Sequence, residues 1–185
     1  MNFHPLQTVL MAGMAFLAVF AQAGWLAPAR IIGAQFDLLP GLMVYASLKA
    51  SSTTVSLVAV AGGLLLDTLS ANPLGISIVP LLVVGVVTHR FRHLILREEA
   101  YAQSILGLAA SAGVPLITVL LLVTLGHQPV LGLGSLWQWL VMSVVGALWT
   151  PLCFACFDRL LRGLSYTPLD RGGFRADREI ERGRY

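Results

Sequence analysis

The sequence predicts an all-α fold, a polytopic membrane helix bundle of about six transmembrane helices with both ends in the cytoplasm. Three observations predict it: the composition suits lipid, the apolar residues gather in six long runs, and the positive charges fall almost wholly on one side of the resulting topology. Of 185 residues, 57% are hydrophobic and only 11% charged, and mean hydropathy is +0.80. A soluble domain carries about a quarter charged residues. Each crossing consumes about 20 mainly apolar residues, so six crossings leave no segment long enough for a separate soluble domain, and a soluble enzyme is excluded.

Apolar runs bounded by polar or turn residues lie at about 6–25, 31–48, 54–71, 74–89, 101–125 and 136–157. The first carries Ala21-Gln22-Ala23 after its apolar core, which fits a signal-peptide cleavage pattern. No Lys or Arg precedes Arg30, so the positive start of such a peptide is missing and the run reads as a retained helix. Only Ala71, Asn72 and Pro73 separate the third run from the short fourth, giving either a tight hairpin or a partly re-entrant pair. Prolines 40, 80, 115 and 151 fall inside runs, where kinks or broken turns are expected because neighbouring helices can satisfy the freed carbonyls. Residues 1–158 form the expected bundle. The remainder, 159–185, breaks composition with Gly163, Pro168, Gly172, Gly173 and Gly183 among alternating charges, and reads as a basic, mobile cytoplasmic tail.

Charge then orients the bundle, because Lys and Arg of short loops gather on the cytoplasmic side. With six spans, eleven of the twelve cations share the side of both termini: Lys49, Arg90, Arg92, Arg97 and seven arginines from Arg159 onward. Arg30 alone lies opposite. Trp25, Trp137 and Trp139 fall at expected outer ends and Tyr101 at an inner one, as an aromatic belt requires. The loop HRFRHLILREEAY interleaves Phe91, Leu94 and Ile95 with arginines and reads as interfacial, while the tail's net positive charge suits an anionic inner leaflet. Lipid is thus a partner. The sequence pI of about 9.2 is no argument for nucleic acid, since the arginines flank apolar runs.

Helices in lipid associate through small residues that permit close approach and through a few polar side chains. Such faces recur here at helical spacing. The third run offers Ser56, Ala59, Gly63, Asp67 and Ser70; the fifth Ser104, Gly107, Ser111, Pro115 and Thr118; the sixth Ser143, Gly146, Thr150 and Cys153; the second Gly33, Asp37, Pro40 and Ser47. Gly63, Gly107, Ser111 and Gly146 are the expected packing seam. Asp37 and Asp67 stand out further, because a carboxylate at membrane depth costs about 2.5–3.5 kcal/mol on insertion scales. Both fall toward the outer end, where they are expected to share a polar pocket with Gln35, Asn72 and Arg30. That pocket is either a partner or solute site or mutual satisfaction by helix ends and amides.

Catalytic constellations find no support. Cys153-Phe154-Ala155-Cys156 has redox spacing but lies near the reducing side, with no second pair to relay electrons. His127 and Ser135 share a loop lacking the carboxylate that would orient a hydrolytic triad. Gly132, Gly134 and Ser135 lack the Lys of a phosphate loop. His4, His89, His93 and His127 scatter over both sides, so neither a metal nor a cofactor is expected.

The stretch Phe36–Ile78, FDLLPGLMVYASLKASSTTVSLVAVAGGLLLDTLSANPLGISI, resembles the MreD family of bacterial rod-shape-determining membrane proteins. The resemblance rests on Asp37 with Leu38 and Leu39, on Gly63-Leu64-Leu65-Leu66-Asp67, and on Pro73-Leu74-Gly75. A departure is that family members often place proline before the first acid, whereas here Phe36 precedes Asp37 and Pro40 follows it. The resemblance implies a non-enzymatic inner-membrane subunit of the cell-elongation machinery, supporting peptidoglycan synthesis. MreC is the expected direct contact, with MreB and the peptidoglycan polymerase and transpeptidase pair in the same assembly. Asp37, Asp67, Asn72, Pro73 and Gly75 are then the expected partner-facing or pocket residues. An alternative is the solute-binding membrane subunit of an energy-coupling-factor vitamin transporter, whose fold the family is taken to share. Such subunits carry alanines at i and i+4, with three residues between them, on the first helix, a pattern that LQTVLMAGMAFLAVFAQAGW lacks.

Overall fold

A computed structural model describes residues 5–24, 33–70, 73–93, 99–127 and 132–164. Among these the chain is all-helical, with six helices: α1 Pro5–Gly24, α2 Leu39–Lys49, α3 Ser52–Leu69, α4 Ile78–Arg90, α5 Ala100–Thr124 and α6 Leu133–Leu164. Three are long and apolar enough to cross a membrane, over Ser52–Leu69, Ala100–Thr124 and Leu133–Leu160, which marks a membrane protein. Thr8–Gly24 of α1 and Ile78–Arg90 are shorter apolar helices. The 11 residues of α2 rise about 16 Å against a hydrocarbon layer of about 30 Å.

That short helix is the axis of the bundle. It packs against each of the other five, and Leu39 through Leu48 are all buried, which suits a helix with no polar stripe. α1 lies against α3, burying Met11, Ala15 and Val19 at the spacing of four that keeps side chains on one helix face. α3 starts where the Ser51 hydroxyl accepts the Thr54 N–H at 3.4 Å, satisfying one of the donors that every helix start leaves unpaired. α5 and α6 form the most extensive helix pair.

The second helix departs from its expected bounds. An apolar run at 31–48 predicts a helix through Gly33 and Asp37, yet residues 33–38 are non-helical and α2 begins at Leu39. Gly33 and Asp37 therefore share no helix face with Pro40 and Ser47. Pro40 sits in the first turn of α2, where a missing N–H costs nothing and the fixed φ is already helical. Pro80 likewise lies in the first turn of α4, while Pro115 and Pro151 lie within α5 and α6. At the far end α6 continues to Leu164, beyond the break expected at Arg159. The tail after Leu164 lies outside the described residues, as do Trp25, Arg30, Asn72 and residues 94–98.

Polarity is distributed as lipid requires. Ser47, Thr54, Asp67, Thr88, Gln103, Ser111 and Thr150 are buried, whereas Phe16, Leu116, Leu120, Leu140, Leu148 and Leu152 are exposed. Apolar side chains facing outward around buried hydroxyls and amides find their best solvent in acyl chains, which make no demand for polar partners.

Candidate functional site

The carboxyl ends of α1 and α3 and the amino ends of α2, α4 and α6 meet at one end of the bundle, tied together by side chains that reach backbone. The clearest tie closes the α3–α4 turn. The Asp67 carboxylate, in the last turn of α3, accepts through one oxygen, Oδ2, the N–H of Gly75 at 2.7 Å and of Ser77 at 3.2 Å. Those donors immediately precede α4, where an anion also meets the positive end of the helix dipole. One turn earlier in α3, a Cβ on Gly63 would stand 2.9 Å from the Ile78 Cα, so only glycine lets α4 begin this close. Gly75 turns the chain at φ +91°, a conformation costly for other residues. Asp67 is 2% exposed, and its other oxygen, Oδ1, is buried with no hydrogen-bond partner.

Asp37 performs a parallel task at α2. Its carboxylate accepts the Leu39 N–H at 3.0 Å, and the Gln22 side chain of α1 accepts the adjacent Leu38 N–H at 3.1 Å. Upstream, Gln138 of α6 grips the Gln35 peptide from both sides, accepting its N–H at 3.1 Å and donating to its carbonyl at 3.2 Å. Within the non-helical segment 33–38, the backbone of Gln35 and Leu38 is thus paired with side chains, which is how non-helical backbone is tolerated among packed helices.

The expected shared pocket takes a different form. Asp37 and Asp67 lie at the same end of the bundle but cap different helices, and Gln35 meets Gln138 rather than either acid. Pro73 is exposed and Gly75 half-buried on the turn that Asp67 holds; Asn72 and Arg30 fall outside the described residues. A cavity of about 800 Å³ opens beside this end, between α5 and α6, lined by Pro115, Leu116, Val119, Gln138, Trp139 and Met142 among others. The seam residues come together in pairs. A Cβ on Gly107 would run into Thr150 and the Gly146 carbonyl, and one on Gly146 would run into Ser111.

Two groups of functional interest escape a reading by apolar runs. Gln22 and Gln138 carry no sequence signal beyond being amides within apolar helices. At the opposite end, Asp158 of α6 accepts the Tyr45 hydroxyl at 3.2 Å and pairs with Lys49 at 3.6 Å, and His89 meets the Ser47 carbonyl at 2.9 Å. Tyr45 also packs on Phe154 and Phe157, with ring centroids 4.8 and 4.6 Å away. An i, i+3, i+4 aromatic and acidic pattern on α6, Phe154-Phe157-Asp158, is the signal that could have found it. Among the described residues no group of three or more His, Cys, Asp or Glu is placed to hold a metal. Compared with protein-family models, curated proteins and solved structures, the chain has no match.

Proposed function

We propose that the chain is a multi-pass protein of the bacterial cytoplasmic membrane, with six spanning segments and both ends inside, acting as a non-enzymatic scaffold subunit of the cell-elongation machinery. On this reading it supports peptidoglycan synthesis through contact with MreC. MreB and the polymerase and transpeptidase pair are reached directly or through that contact.

The observation that carries the reading is the Asp67 clasp. The residues on which the MreD resemblance rests, Asp37, Gly63, Asp67 and Gly75, are those that cap α2 and lock the α3–α4 turn. A rigid, shaped end is suited to presenting a surface. Leu74, 72% exposed at the tip of the turn, is the apolar contact such a surface would offer.

The test is co-purification with MreC and cell shape in Asp37→Ala, Asp67→Ala and Leu74→Ser strains. Reduced MreC recovery and rounded cells are expected, with Leu74→Ser leaving protein level and thermal stability unchanged. Wild-type recovery and rod shape in all three, at normal protein levels, would remove the proposal. The cavity beside Trp139, within the 300–1,000 Å³ range of ligand sites, favours one competing reading, the solute-binding transporter subunit. A vitamin retained stoichiometrically after gentle purification, found by mass spectrometry, would establish that reading instead.

A further inference from the structure

The end of the bundle opposite Asp67 carries an arginine-bearing turn that no carboxylate among the described residues pairs with. α4 ends at Arg90, and the chain turns through Phe91, Arg92 and His93. This turn is fixed rather than loose: the Phe91 N–H donates to the Val87 carbonyl at 3.1 Å and the Arg92 N–H to the His89 carbonyl at 3.5 Å. His89 in turn meets the Ser47 carbonyl at the end of α2, which holds the turn against the bundle axis. Arg90 and His93 are exposed and Arg92 half-buried.

Lys49 pairs with Asp158, and among the described residues no carboxylate is seen paired with Arg90, Arg92 or Arg159. The sign of the whole end agrees. On the topology that the sequence predicts, eleven cations and seven acids fall on this side, and one cation with Asp37 and Asp67 on the other. Apolar side chains stand among the charges, with Phe91 52% and Tyr101 77% exposed. Cations flanking exposed aromatics fit a surface that is anionic at its face and apolar just beneath, namely a phospholipid leaflet. A nucleic acid or an acidic protein would match the cations but would offer Phe91 no hydrocarbon to enter.

We propose that the Arg90–His93 turn is a binding site for anionic phospholipid headgroups, with Arg90 and Arg92 contacting the phosphate and Phe91 inserted beside the acyl chains. The inference rests on the membrane reading and not on any partnership with MreC. Near an anionic surface each arginine contributes about a fivefold factor, so Arg90 and Arg92 together supply about 25-fold.

The experiment titrates the full-length chain, purified in mild detergent, with phosphatidylglycerol or phosphatidylcholine and counts retained lipid by native mass spectrometry. Wild-type protein is expected to prefer phosphatidylglycerol, and the preference is expected to fall about 25-fold in Arg90→Gln/Arg92→Gln. On wild-type protein alone, raising salt from about 50 mM to about 500 mM is expected to abolish most of the preference, since exposed charges are screened over that range. Phe91→Ser is expected to weaken retention of both lipids. Equal retention of the two lipids by wild type overturns the proposal, as does a preference that survives the double substitution or high salt. Displacement of lipid by millimolar inorganic phosphate also overturns it, because the turn would then be a site for the free anion. Loss of MreC contact in other variants would leave these readouts untouched.

Discussion

The Asp67 carboxylate and the Gly75 amide, eight positions apart, are joined by a 2.7 Å hydrogen bond that closes the turn between α3 and α4. Because the same oxygen also accepts from Ser77, Asp67→Ala leaves two backbone donors without their acceptor in a largely buried place. The expected loss is about 2–4 kcal/mol, from the desolvation cost of unpaired donors and the lost charge-assisted bonds. Asp67→Asn keeps an amide oxygen where Oδ2 stands and should retain most of the stability. Thermal or denaturant unfolding of the purified variants in detergent checks the order; Asn as damaging as Ala would show that the charge, not the acceptor, holds the turn.

Where Gly107 meets Gly146, the α5–α6 contact has no room for a methyl group on either helix. Gly107→Ala drives its Cβ into the Gly146 backbone as well as Thr150, so no rotamer change relieves it. Overpacking of this kind costs about 1–3 kcal/mol. Gly146→Ala runs chiefly into the Ser111 side chain, with the Gly107 carbonyl next at 3.0 Å, and Ser111→Gly should restore much of what it loses by moving the bulk across the seam. A double-mutant cycle on unfolding free energies measures this, and strictly additive losses would rule the pairing out.

These two relationships were legible in the sequence to different depths. Small residues at spacings of three and four mark a close-packed face whatever its partner, so Gly63 with Asp67, and Gly107 with Ser111, could be read as faces; that Gly63 sits on Ile78 could not. The start of α2 was hidden for a physical reason. An apolar run predicts burial, but whether its first residues are helical depends on where their N–H groups find acceptors, and here the acceptors include Gln22 and Gln138, the latter 103 positions from Gln35. The Tyr45–Asp158 pair, 113 positions apart, was out of reach for the same reason.

For that pair, packing outweighs charge. Lys49 and Asp158 are each about one-third exposed, and such ion pairs contribute about 0–1 kcal/mol. Asp158→Asn keeps an acceptor for the Tyr45 hydroxyl, so a change below about 1 kcal/mol is expected. Tyr45 itself is 0% exposed and stacked on Phe157, and Tyr45→Ala should cost about 3–5 kcal/mol, the range for emptying a buried aromatic site. Comparable losses from the two substitutions, measured by unfolding in detergent, would mean that the charge cluster and not the ring stack secures α2 to α6.

Gln138 tests how the non-helical approach to α2 is held. Both polar groups of the Gln35 peptide bond its side chain, one at 3.1 Å and the other at 3.2 Å, and Gln35 is exposed. Gln138→Ala removes both bonds at once, yet water can replace them at an exposed peptide, so global stability should fall by no more than about 1 kcal/mol. Local opening is another matter. Gln22→Ala frees only the Leu38 N–H, beside the buried Leu39, where the Asp37 cap persists. Hydrogen exchange followed by mass spectrometry should therefore show segment 33–38 exchanging faster in Gln138→Ala, more so in the double substitution, with the α2 amides after Leu42 unchanged. If α2 itself loses protection in Gln138→Ala, the segment and the axial helix open as one unit, and the side-chain amides secure the bundle axis rather than only its approach.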